Sequence, residues 1–216
     1  MTNQARVQHR RDGLEFTRFV AFIDGGTVVA LTLLAVSVLP VSRGLSDEEW
    51  HRIFLGVLDG RNVAFVALVV AFVIVASFWL DQHLLYAHLS AIDRSFILAN
   101  LVYLFLITLS PAIAVTLAEH RRDVYGGLFV VVWLVLLSAV SLGLPWLATR
   151  QDLLAHPEAR PPFLRNQLRI SAVRALVLVL TVVAVRYYPP WISFFVLIPS
   201  LLGLEYWRNR MTWAPV

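Results

Sequence analysis

Six apolar segments run along this chain, at residues 19–39, 63–85, 96–118, 124–147, 170–186 and 191–206. A helix crosses the hydrocarbon core of a bilayer with about 20 apolar residues rising about 1.5 Å each. The segments predict an all-α, polytopic membrane protein: six transmembrane helices in one transmembrane domain over residues 1–216. The chain is 59% hydrophobic, where a soluble domain is about half apolar, and the excess is gathered into these runs. The longest hydrophilic stretch, roughly Thr149–Arg169, is too short for a separate soluble domain. Pro40, Pro111 and Pro145 fall near the ends of the first, third and fourth segments, and "RYYPP" makes a tight turn between the short last two.

Every basic residue is arginine, and the arginines sit at segment ends, so the net charge of +4 forms no nucleic-acid-binding patch. With six spans, twelve arginines fall on the side of the termini and six (Arg43, Arg52, Arg61, Arg121, Arg122 and Arg186) on the other. Positive charge accumulates on the cytoplasmic side, which predicts a multi-pass protein of the cell membrane with both termini cytoplasmic. The basic start, "MTNQARVQHRRDGLEFTRF", precedes an apolar run without a small-residue cleavage site, and reads as leading into a retained first helix. The stretch "SDEEWHRIFLGVLDG" pairs Ser46 with Glu49 in a capping-box spacing. It places Trp50, Ile53, Phe54 and Val57 on one face, predicting a short amphipathic helix on the membrane surface.

Polar groups inside a bilayer are costly and mark either function or structural ties. Asp24, Thr27 and Thr32 lie in the first segment; Asp81, Gln82 and His83 end the second; Asp93 and Asn100 open the third. The fourth adds only Ser138 and Ser141, and the last two almost nothing, so the last three segments read as scaffold. Asp24 and Arg18 are six residues apart, on different helix faces, which makes His83 the expected partner of Asp24. Two readings of Asp24 stand open: a buried tie that locks helix packing, or a site for a permeant ion or proton. Cysteine is absent, no histidine pair has metal-ligand spacing on a shared face, and no nucleophile–base order, phosphate loop or HExxH occurs. No enzyme, metal site or cofactor is therefore predicted. Gly25 and Gly26 allow close helix approach, and beyond them Val29, Leu33 and Val36 form an apolar stripe at i, i+4 and i+7.

Two blocks resemble a known family. Arg18, Phe22 and Asp24 fit the spacing of R-x-x-x-F-S-D, with Ile23 in place of the serine, and "ALTLLAV" follows. In "FWLDQHLLYAHLSAIDRSFILANLVYLFLITLSP", Trp79, His83, Asp93, Asn100 and Pro111 fall in the family's register, with Gln82 where a first histidine is usual. Over roughly residues 14–120 the chain is similar to the transmembrane protein 175 family of potassium channels, whose bacterial members have six spans. The resemblance implies a homotetramer embedded in membrane lipid, with four copies of the first helix lining a pore for potassium ions. It implies a hydrophobic gate at Val29, Leu33 and Val36 in place of a carbonyl filter, and a selectivity role for Thr32 beside it. It also implies a polar network of Arg18, Asp24, His83, Asp93 and Asn100 that holds the first helix against the second and third. Gly26 replaces a usually larger residue, and Val29 is smaller than usual. The alternatives are a proton-coupled transporter with Asp24 as carrier, and a non-conducting membrane scaffold. Transporters usually show internal repeats, and the polar residues here cluster in one half of the chain.

Overall fold

The computed structural model describes residues 8–38, 46–58, 63–120, 122–155, 166 and 169–180. In chain order they form β1 (Gln8–Arg10), α1 (Leu14–Val38), α2 (Asp47–Leu58), α3 (Val63–Ala87), β2 (Ala91–Asp93), α4 (Arg94–Thr108), α5 (Ser110–Glu119) and α6 (Val124–Arg150). Residues 169–180 are also helical. Four spans long and apolar enough to cross a membrane occur among the described residues: Leu14–Ser37, Val63–Ala87, Arg94–Glu119 and Val124–Arg150. The protein is a multi-pass membrane protein. The predicted fifth segment is described as far as residue 180, and its remainder and all of the sixth lie outside the described residues.

Helices dominate because a backbone in hydrocarbon must satisfy its own N–H and C=O groups. Several hydroxyls on these helices turn back onto their own backbone. Thr27 donates to Ile23 O at 3.0 Å, Thr32 to Val28 O at 2.8 Å and Thr149 to Pro145 O at 2.9 Å.

Three sequence expectations change. The third span is two helices, α4 and α5, meeting at Leu109. Pro111 stands in the first turn of α5, where its missing N–H costs nothing, and the Trp133 indole of α6 donates to Leu106 O at 2.7 Å beside the break. Conversely, Pro145 does not end the fourth span: α6 continues past it to Arg150. Packing on both sides holds it, with Leu144, Pro145 and Ala148 all buried. Finally, the fold is not purely helical. β1 pairs antiparallel with β2, Gln8 opposite Asp93 and Arg10 opposite Ala91. Strands of three residues carry too little alternation to be read from sequence.

That small sheet gathers one end of the bundle. Arg11 N donates to Ser90 O, Ser90 N to Leu153 O and Ala155 N to His88 O, at 2.8, 2.8 and 2.9 Å. The chain before α1, the turn after α3 and the end of α6 therefore meet at the same end. Within the bundle α1 packs on α3, α4 and α5, while α6 packs on α4 and α5. The core is apolar and continuous, with Phe78, Ile74, Phe96, Ile107, Ile113 and Leu137 fully buried.

The amphipathic helix predicted after the first span is α2, and its capping box is made. Ser46 N and Ser46 Oγ both donate to Glu49 Oε2 at 2.9 Å. Trp50, Phe54 and Leu55 are exposed along it.

Candidate functional site

The first membrane helix has two characters. Phe16, Phe19, Ile23, Thr27, Ala30 and Leu34 recur at three- and four-residue spacing and are buried against α3, α4 and α5. The face turned away carries Phe22, Val29, Leu33 and Val36, exposed by 58, 57, 47 and 68%. Thr32 is exposed beside it, its hydroxyl bonded back to Val28 O. An apolar stripe of this length, left open on a helix packed along its other side, is a surface prepared for lipid, for another subunit or for a pathway between subunits.

Close packing sets the angle of α1. A Cβ placed on Gly26 would lie 2.7 Å from Leu104 Cδ1 of α4, so glycine lets the helices approach, whereas Gly25 looks onto open space. Nearer the start of α1, Phe19 packs edge-on against Tyr86 of α3 and Phe96 of α4, with ring centroids 6.0 and 6.4 Å apart. This aromatic trio is joined by Asn100, which is fully buried. The Tyr86 hydroxyl donates to Asn100 Oδ1 at 2.7 Å, and Asn100 Nδ2 donates to Phe96 O at 2.8 Å.

Asp24 does not pair with His83. Its Oδ1 accepts from the indole Nε1 of Trp79 at 2.9 Å. Trp79 stands one turn before His83 on α3, and its longer side chain reaches α1 first. His83 is exposed and lies with its ring 5.5 Å from the Trp79 ring, so it touches the pair only through the indole. Arg18 is exposed on the side of Phe22 and Val29, away from Asp24, because six residues make about one and two-thirds turns and leave the two side chains about 120° apart. Asp93 serves the start of α4: Phe96 N donates to its Oδ1 at 2.8 Å. With the Gln151 amide nitrogen turned toward it, Gln151 also donates to both Asp93 oxygens, at 2.7 and 2.8 Å. The predicted network is thus three separate ties: Asp24 with Trp79, Asn100 with Tyr86, and Asp93 with Gln151.

Sequence reasoning missed one buried charge. Arg174 lies near the start of the fifth segment, in a region the sequence presents as scaffold, yet it is 3% exposed and forms an ion pair with Asp81, itself 5% exposed. The only sequence signal was an arginine five residues inside an apolar segment, a position with a cost that demands a partner. No group of three or more His, Cys, Asp or Glu able to hold a metal occurs among the described residues.

Residues 18–111, from Arg18 to Pro111, match the profile of the family described as the endosomal/lysosomal potassium channel TMEM175. Over this stretch the chain is similar to the TMEM175 family. The match contains both sequence blocks together with α2, and its limits fall at the arginine that opens the first block and the proline that closes the second. A potassium channel of Streptomyces collinus is 27% identical over 155 residues, which is 70% of this chain and 73% of that protein. The fold is similar to the crystal structure of a lysosomal potassium-selective channel TMEM175 homolog from Chamaesiphon minutus, with a TM-score of 0.62 at 17% identity, covering 91% of this chain and 98% of that one. Within the matched stretch, Trp79, His83, Asp93 and Asn100 join α1, α3, α4 and α6 or pack beside those joints.

Proposed function

We propose that this protein is a potassium-selective channel of the cell membrane, assembled as a homotetramer in which the exposed stripe of α1 lines the pathway. The observation that carries the reading is that stripe: Val29, Leu33 and Val36 lie open on a helix whose opposite side is buried. In a four-fold assembly each contributes a ring of four identical apolar side chains. Such a neck excludes water, and an ion crosses it only by shedding hydration. Potassium is more weakly hydrated than sodium and loses less, so selectivity arises without a cage of carbonyls. Thr32, beside the neck, offers its hydroxyl oxygen where the shed water is missed. Arginine asymmetry supports cytoplasmic termini.

Asp24 supports this arrangement as a tie. It lies on the flank of α1 that meets Trp79, not on the stripe, which favours positioning over ion carriage and weakens the transporter alternative. The protein reconstituted in liposomes tests the reading. Leu33→Asn should let water remain in the neck, raise potassium flux and lower the preference for potassium over sodium. Should Leu33→Asn and Val29→Asn both leave flux and selectivity unchanged in an assembled tetramer, the stripe is a packing or lipid face and the proposal fails.

A further inference from the structure

Asp81 and Trp79 are two residues apart on α3, so their side chains leave the helix on opposite sides. Trp79 meets Asp24 on α1, and Asp81 meets Arg174 in the helical segment 169–180. Arg174 grips α3 at three successive places. It pairs with Asp81, donates to Ser77 O at 3.5 Å, and lies with its guanidinium carbon 4.1 Å from the centroid of the Phe78 ring. Its other terminal nitrogen donates to Ser141 Oγ of α6 at 3.4 Å. Ser171, Arg174 and Leu178, at helical spacing, are all buried, so the segment presents this charge from its packed face.

A buried ion pair is a poor source of stability, since apolar residues of the same volume often serve as well or better. Its distinctive property is direction: a guanidinium held by a carboxylate, a carbonyl, a hydroxyl and a ring tolerates one rotation and one height of α3. We propose that Asp81 and Arg174 are positioning residues of the channel. Their pair holds α3 so that Trp79 meets Asp24, and through that contact it sets how the α1 stripe faces the pathway. This rests on the channel reading above for its consequence in permeation, but not for its effect on α1.

The absence of cysteine allows a direct test. Gly25→Cys places one thiol next to Asp24, on an exposed position where a Cβ meets nothing within 4 Å. Its rate of modification by a charged methanethiosulfonate reports the facing of α1, and reconstituted protein without the reporter gives the potassium-to-sodium permeability ratio. The double variant Asp81→Val/Arg174→Met comes close to the pair's combined volume and removes direction. We expect it to assemble with wild-type stability, to change the thiol modification rate by about threefold or more, and to lower the permeability ratio. Adding Trp79→Phe should produce no further change in rate, because both substitutions act through one contact. A wild-type rate and ratio in the assembled double variant overturn the proposal, as does a full additive shift with Trp79→Phe. If the double variant does not assemble, Asp81→Asn, still an acceptor for Arg174, must shift the rate in the direction that Trp79→Phe shifts it, and no shift overturns the proposal. If the unmodified protein carries no current while the rate still shifts, the channel reading fails and the anchor stands.

Discussion

Removing the Trp79 indole N–H isolates the tie between α1 and α3. The bond to Asp24 is 2.9 Å long and reaches a partly buried carboxylate. Hydrogen bonds to charged groups contribute about 1.5–3 kcal/mol in soluble proteins. Inside membranes, measured interhelical bonds average about 0.6 and reach about 1.7 kcal/mol, because the unfolded chain also finds partners. A charged acceptor at partial burial belongs near the upper part of the second range, which gives a coupling of about 1 kcal/mol. The assay is a double-mutant cycle of Trp79→Phe and Asp24→Ala, followed by reversible unfolding in mixed micelles. Trp79→Phe alone should cost more than the coupling, since the lost ring also leaves a gap beside His83, 5.5 Å away. The parallel cycle of His83→Ala with Asp24→Ala should couple weakly, because His83 reaches Asp24 only through the indole. A Trp79–Asp24 coupling below about 0.3 kcal/mol, the scatter expected of independent sites, would refute the reasoning, as would a stronger coupling for His83.

Other expectations rest on separate contacts. Asp93→Ala removes the cap on Phe96 N and leaves the Gln151 amide without its carboxylate, and should destabilise the fold by about 2 kcal/mol in the same unfolding assay. Gly26→Ala meets only the flexible end of Leu104 and should be tolerated after a small side-chain shift, whereas Gly26→Ile should push α1 from α4 and cost about 1–3 kcal/mol. The Ser46 backbone N–H, and then its hydroxyl, hold the Glu49 carboxyl below its ordinary value of 4.5. A carboxylate with a depressed pKa stabilises the folded state fully above its unfolded value and loses that contribution as pH falls through the folded one. Protection of α2 amides from hydrogen exchange should therefore be constant above about pH 5 and decline below 4.5; Ser46→Ala, which keeps the backbone N–H, should weaken the decline, and Glu49→Ala should abolish it.

The membrane class, the approximate positions of the first four spans and the capped surface helix were legible in the amino-acid sequence, because each depends on local quantities. Run length against bilayer thickness identifies a span whatever its neighbours are, and Ser46 with Glu49 identifies a cap within one turn. The apolar stripe on α1 was legible for the same reason, as a repeat at helical spacing. What those features touch was not. Pro111 and Pro145 carry the same local signal, yet one stands at the start of a new helix and the other is carried through by the packing around α6. The sequence offers His83 as the expected partner of Asp24, and only the approach of α3 to α1 gives it Trp79 instead. Arg174 looked peripheral until the bundle brought it to Asp81, 93 residues earlier in the chain. Periodicity determines which face of a helix is apolar, because that follows from 100° per residue along one segment. Which polar group answers which depends on the rotation and height of one helix against another, and those are set only when the whole bundle packs.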